Sequence, residues 1–135
     1  MDRVFLDANV LFSAAYREDA GLKRLWDLGD VELLTSEYAL EEARRNLTDA
    51  NARARLARLV EDVELVAEAS DVGVPDDHSD LPDKDRPILA AALAARATHL
   101  ITGDLTHFGP LYGRDASGVV VLPPAMYLHM REDDE

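Results

Sequence analysis

Four acidic residues, Asp7, Glu42, Asp85 and Asp104, lie far apart in the chain, yet each stands where a regular element would begin or end. Asp7 directly follows the apolar run Val4 to Leu6, and Asp104 follows His99 to Thr102 across a single glycine in LITGD. Asp85 sits just ahead of Pro87, at the start of a long apolar segment, with Asp83 close enough to replace or supplement it. At about 100° per residue, Ala39, Leu40, Ala43 and Leu47 form the buried stripe of a helix. Glu42 then borders that stripe, while its neighbour Glu41 points nearly the other way. Carboxylates gathered at one place raise one another's pKa and resist joint ionisation, a penalty that a divalent cation removes. Hard oxygen donors, with no cysteine and no paired histidines, favour magnesium or manganese over zinc. Such an ion can bind a phosphodiester and lower the pKa of an attacking water, so the chemistry indicated is hydrolytic phosphoryl transfer.

The elements that must position these acids alternate between short β-branched or aliphatic runs and longer stretches of helical periodicity. Strands are expected at Val4 to Leu6, Val31 to Leu34, Val63 to Val66, His99 to Thr102 and Gly118 to Leu122. Helical stretches are expected over Asn9 to Tyr16, Gly21 to Leu28, Ser36 to Leu47 with Ser36 as N-cap, and residues 51 to 61. The segment from Ser70 to Asp85 reads as an acidic loop. It leads into ILAAALAARA, a helix with Pro87 in its first turn and apolar on more than one side. PPAMYLHM reads as a short last helix, with the REDDE ending frayed beyond it. This alternation predicts a three-layer α/β/α sandwich with a central, mainly parallel sheet of about five strands. In such folds sites collect at the carboxyl ends of the strands, where Asp7 and Asp104 stand.

The 135 residues fit one domain, residues 1–130, followed by an acidic tail, 131–135. With 47% hydrophobic residues the chain can bury a core and is not a disordered segment. The opening MDRVFLDANVLF carries acids at its second position and within its apolar run, unlike a signal peptide or membrane anchor, so a cytoplasmic protein without membrane contact is expected. A formal charge of -13 argues against gripping nucleic acid by phosphate neutralisation alone, but not against an enzyme that meets phosphate through bound metal. One local reversal stands out: Arg44, Arg45, Arg53, Arg55 and Arg58 face the single acid Asp49, a patch that could guide phosphates toward Glu42.

The pieces FLDANVLFSA, SEYALEEARRNL, DRPILAAALAARATHLITGD and THF, in this order from residue 4 to about residue 122, resemble the PIN domain family of metal-dependent ribonucleases. That family includes the toxins of VapC-type toxin–antitoxin pairs. The resemblance implies that Asp7, Glu42, Asp85 and Asp104 are an acidic quartet holding Mg2+ or Mn2+. It gives Asn9, from the D-x-N pattern, a supporting or substrate-orienting role beside them. It also implies RNA as substrate, a cognate antitoxin as partner and a homodimer as the assembly. A general-acid role for His107, in THF, competes with a purely structural one.

Two other enzyme classes place acids at the ends of parallel strands. A receiver domain needs a lysine after a late strand, and the only lysines are Lys23 and Lys84; a haloacid-type phosphatase needs an aspartate where Asn9 stands. Outside hydrolytic chemistry, the alternative is a silent module of the same fold that docks RNA or a partner protein. Within it, the alternative to a toxin is a housekeeping RNA-processing nuclease.

Overall fold

The computed structural model describes residues 1–67, 86–104, 115–116 and 118–133. Its strands are β1 (Asp2–Leu6), β2 (Val31–Ser36), β3 (Glu64–Val66), β4 (His99–Ile101), β5 (Asp115–Ala116) and β6 (Val119–Leu122). They form one sheet in the order β3-β2-β1-β4-β6-β5, parallel throughout except for the β5–β6 pair. The five expected strands are therefore the five parallel ones. The two-residue edge strand β5, too short to show any period, is the addition.

The helices are α1 (Ala8–Tyr16), α2 (Glu37–Asn46), α3 (Ala50–Val60), α4 (Arg86–Ala94) and α5 (Pro124–Asp133). Three of them start on the side chains that favour a start: Asp7 accepts from Ala8 N, Ser36 from Ala39 N and Asp49 from Ala52 N. The segment Gly21–Asp27, expected as an amphipathic helix, winds as a 3₁₀ helix. Ala20 offers it no side-chain cap; buried Leu25 and the Trp26 indole, which donates to Leu59 O at 2.9 Å, anchor it instead. The last helix reaches Asp133, so most of the expected tail falls on it, and residues 134 and 135 lie outside the described residues.

β1 is the middle of the sheet, and Val4, Phe5 and Leu6 are wholly buried there. With the right-handed crossovers that parallel strands favour, the connections from β1 through β2 to β3 put α1, α2 and α3 on one face, and α1 packs against both others. The return from β3 to β4 puts α4 on the opposite side, and its run Ile88 to Ala92 is buried without a break, as its apolar sequence requires. A three-layer α/β/α sandwich results. Among the described residues, no helix is long and apolar enough to cross a membrane.

Candidate active site

The strand order creates one special place. The chain leaves β1 toward β2 and β3 on one side, then returns to build β4 and β6 on the other, so the order reverses between β1 and β4. A crevice opens at the carboxyl ends of two such strands because the chains following them diverge. Asp7 stands at the end of β1, and Thr102, Gly103 and Asp104 at the end of β4.

These two strand ends are laced together. The backbone N–H of Asp7 donates to Ile101 O at 3.0 Å, extending the ladder one residue past the strand. The Asp7 side chain is only 5% exposed. Its Oδ1 accepts from Ala8 N at 2.6 Å, and its Oδ2 accepts from Thr102 Oγ1 at 2.8 Å and Asn9 Nδ2 at 3.3 Å. Asn9 also accepts from Gly103 N through Oδ1 at 2.7 Å and donates through Nδ2 to Thr102 Oγ1 at 3.2 Å. Thr102 Oγ1 in turn accepts from Asp104 N at 3.1 Å. One amide and one hydroxyl therefore fix the position of Asp104 relative to Asp7. A side chain at Gly103 would press against Asn9 Oδ1, 3.4 Å from where its Cβ would lie.

The third acid arrives from the neighbouring strand. Ser36 ends β2 and caps α2, whose buried stripe of Ala39, Leu40 and Ala43 turns Glu42 to the crevice. Glu41 faces outward and pairs with Arg44 at 2.7 Å. Of the two neighbours, Glu42 is thus the one at the site. Asn46, one turn on, donates to Glu42 O at 3.0 Å. Asp7, Asn9, Phe12, Glu42, Asn46 and Asp104, with Ala8, line a single cleft of about 110 Å³.

Asp85, with its alternative Asp83, lies outside the described residues, as do His107 and the acidic loop. α4 begins at Arg86, the residue that follows Asp85 in the sequence. Among the described residues, no three metal-ligating side chains are close enough together to hold an ion as they stand. The donor set of the cleft, three carboxylates and two amides, nevertheless fits a hard cation, because all its acceptor atoms are oxygens.

The arginine patch is only partly available. Arg53 Nε donates to Leu47 O at 2.6 Å, and Arg55 donates to Ala15 O and Tyr16 O, both at 2.9 Å, tying α3 to its neighbours. Arg44 is engaged by Glu41. Two larger clefts, of about 350 and 440 Å³, flank Trp26 and mix acids with apolar or basic groups, without the convergence of oxygens found at the sheet edge.

The structure brings Asp7, Glu42, Asp104 and Asn9 together at one cleft, and Thr102, Phe12 and Asn46, which sequence reasoning did not single out, stand beside them. Thr102 was legible in principle: a hydroxyl residue between a buried strand and the glycine of LITGD, on the side that meets Asp7. Phe12 and Asn46 follow only from the packing of α1 against α2.

The family model described as "PIN domain" matches residues 3–106. Among solved structures, a chain of VapBC2 from Rickettsia felis, bound to a DNA fragment from its promoter, is similar with a TM-score of 0.68 at 12% identity. The likeness covers 90% of this chain and 98% of that one. VapC20 of Mycobacterium tuberculosis, a sarcin-ricin-loop-cleaving toxin, is similar with a TM-score of 0.57 at 16% identity, over 79% of this chain and 94% of that one. At these identities the likeness is one of fold. No curated protein matches the sequence. The match over most of the chain establishes that the chain belongs to the PIN domain family.

Proposed function

We propose that this protein is a metal-dependent endoribonuclease acting as the toxin of a toxin–antitoxin pair. The observation that carries the reading is the convergence of Asp7, Glu42 and Asp104, from three different elements, on one cleft at the sheet's switch point. Its fold neighbours VapBC2 and VapC20 support the toxin assignment, VapC20 as an RNA-cleaving toxin and VapBC2 as the kind of pair in which an antitoxin takes part. In this reading Asp7, Glu42, Asp104 and Asp85 hold Mg2+ or Mn2+, and the chain works as a homodimer.

When bound, the ion would lower the pKa of a water and offset charge on the phosphoryl oxygens. The chain's own contribution is placement. Asp7 is locked by donors from Ala8, Asn9 and Thr102, so its carboxylate cannot rotate to meet a substrate and the substrate must come to it. Asp104 is held through its own backbone N–H on the Thr102 hydroxyl. Glu42, half-buried on α2, closes the third side. Water adds to phosphorus, the bond to the 3′ oxygen breaks, and the products carry a 5′-phosphate and a 3′-hydroxyl.

The test is cleavage of a panel of end-labelled RNAs by purified protein with manganese, magnesium or EDTA. The reading predicts internal cuts leaving 5′-phosphates with either metal and none with EDTA. Cleavage indifferent to EDTA would overturn the metal dependence, and an intact panel that includes structured ribosomal RNA would overturn the nuclease in favour of a silent binding module.

A further inference from the structure

Away from the acidic cleft, the 3₁₀ segment Gly21–Asp27 and the end of α3 enclose another, of about 350 Å³. Both segments lead into the amino ends of strands, β2 and β3, so this cleft lies toward the edge of the sheet opposite to Asp7. Its size is that of a small-molecule site. Trp26 and Leu59 give it an apolar wall, and the indole is fixed there because Nε1 donates to Leu59 O at 2.9 Å. The rim carries Lys23, Arg55 and Arg58 against Asp27 and Asp62, a local excess of positive charge in a chain of net charge -13.

These charges do not satisfy one another. Among the described residues, no ion pair joins any of the five. Lys23 Nζ donates to Glu18 O at 2.9 Å, and Arg55 donates to the carbonyls that end α1; such bonds hold a cation in place without cancelling its charge. Arg58 and Asp27 are exposed, and among the described residues no side-chain bond engages either. Charges of both signs around an aromatic wall suit a ligand that joins a flat ring, an anion and hydrogen-bond donors. A nucleoside 5′-phosphate has all three. Its base stacks on an aromatic side chain, its phosphate takes a guanidinium bidentately, and its ribose hydroxyls donate to carboxylates. An inorganic anion would use the cations and leave the ring and the acids unmatched.

We propose that this cleft binds a nucleoside 5′-monophosphate, free or as the 5′ end of an RNA strand, with the base on Trp26 and the phosphate between Arg58 and Lys23. Asp27 and Asp62 accept from the sugar and the base. The site is separate from the acidic cleft, and it does not depend on the ribonuclease reading.

Trp26 is the sole tryptophan, so its fluorescence reports occupancy. The probe is AMP, titrated into the full chain in EDTA. Emission should change saturably, and adenosine or inorganic phosphate alone should bind at least about tenfold more weakly. Arg58→Gln should weaken AMP binding about tenfold to a hundredfold. Arg45→Gln, which removes an equal charge from outside the cleft, should bind AMP like wild type. A 5′-phosphorylated oligoadenylate identifies the source: tighter binding than AMP, lost in Arg58→Gln, assigns the cleft to an RNA end, and weaker binding assigns it to a free nucleotide. No saturable response to either ligand would overturn the proposal, as would Arg58→Gln protein that binds as tightly as wild type. Phosphate or adenosine binding as well as AMP would overturn it too. Because no metal is present and nothing is cleaved, the result stands apart from whether the protein cuts RNA.

Discussion

Thr102→Val replaces one buried hydroxyl with a methyl group of nearly the same shape. That hydroxyl donates to Asp7 Oδ2 at 2.8 Å and accepts from Asp104 N at 3.1 Å and Asn9 Nδ2 at 3.2 Å. The bond to the carboxylate contributes about 1.5–3 kcal/mol and each of the others about 1 kcal/mol, partly offset by contacts that Asp7 and Asn9 keep. A net loss of about 2–3 kcal/mol follows, equivalent to a fall on the order of 10 °C in Tm for a domain of this size. Thr35→Val is the control. Thr35 is just as buried at the same sheet edge, but among the described residues its hydroxyl makes a single bond, to Leu6 O at 2.9 Å, and bonds to none of the acids. It should cost about 1 kcal/mol. Thermal melts and single-turnover cleavage with manganese, run on both variants, separate stability from placement. Thr102→Val should lower the cleavage rate about 10- to 100-fold, and Thr35→Val should leave it near wild type. A Thr102→Val protein that melts within about 2 °C of wild type, or loses no more activity than Thr35→Val, would refute the claim that this hydroxyl positions the acids.

Neighbouring glutamates give a sharper contrast: Glu42→Gln should abolish cleavage, while Glu41→Gln, which removes only an exposed pair with Arg44, should change it less than twofold or so; equal effects would place the α2 helix in the wrong phase. Metal should raise the melting temperature of the wild type through preferential binding to the folded state, by about 2.7 kcal/mol at a hundred times Kd. Asp104→Asn should shrink that shift, and an undiminished one would put the ion elsewhere. His99, packed 5.0 Å from Tyr127 at the opposite edge of the sheet, has its pKa pushed below 6.5 by burial, against the pull of Asp2 and with help from Arg131. Because the unfolded chain takes up the proton first, stability should fall as pH drops below 6.5 toward the folded value. Urea titrations of His99→Gln should show a flatter dependence in that window, and an unchanged slope would assign it to other groups.

The parallel sheet and the two acids at its edge were legible because each depends on local signals that agree. Val4 to Leu6 is an unbroken apolar run ended by an acid that caps the following helix, so one residue marks both the strand's end and the helix's start. Glu42 could be read from helix phase because Ala39, Leu40 and Ala43 leave no ambiguity about the inward direction. The helical reading of Gly21 to Leu28 missed its 3₁₀ winding, since apolar spacing does not distinguish i→i+3 from i→i+4 bonding and the deciding contact, Trp26 with Leu59, spans distant parts of the chain. Thr102 escaped notice for a related reason: its importance lies in three partners on two strand ends, which become neighbours only when β1 pairs with β4. The arginine patch shows the reverse. Its charge was plain, but the backbone carbonyls that occupy Arg53 and Arg55 belong to other segments.

Asp7→Asn tests the central claim most directly. Asparagine caps a helix as well as aspartate does and keeps the shape of the side chain, so α1 and the fold should survive while the negative charge is lost. The account predicts a cooperative melt, lowered by no more than on the order of 10 °C through the weakened bonds to Thr102 and Asn9, together with manganese-dependent RNA cleavage reduced by at least about 100-fold. A folded Asp7→Asn protein that cuts RNA as fast as wild type would contradict it.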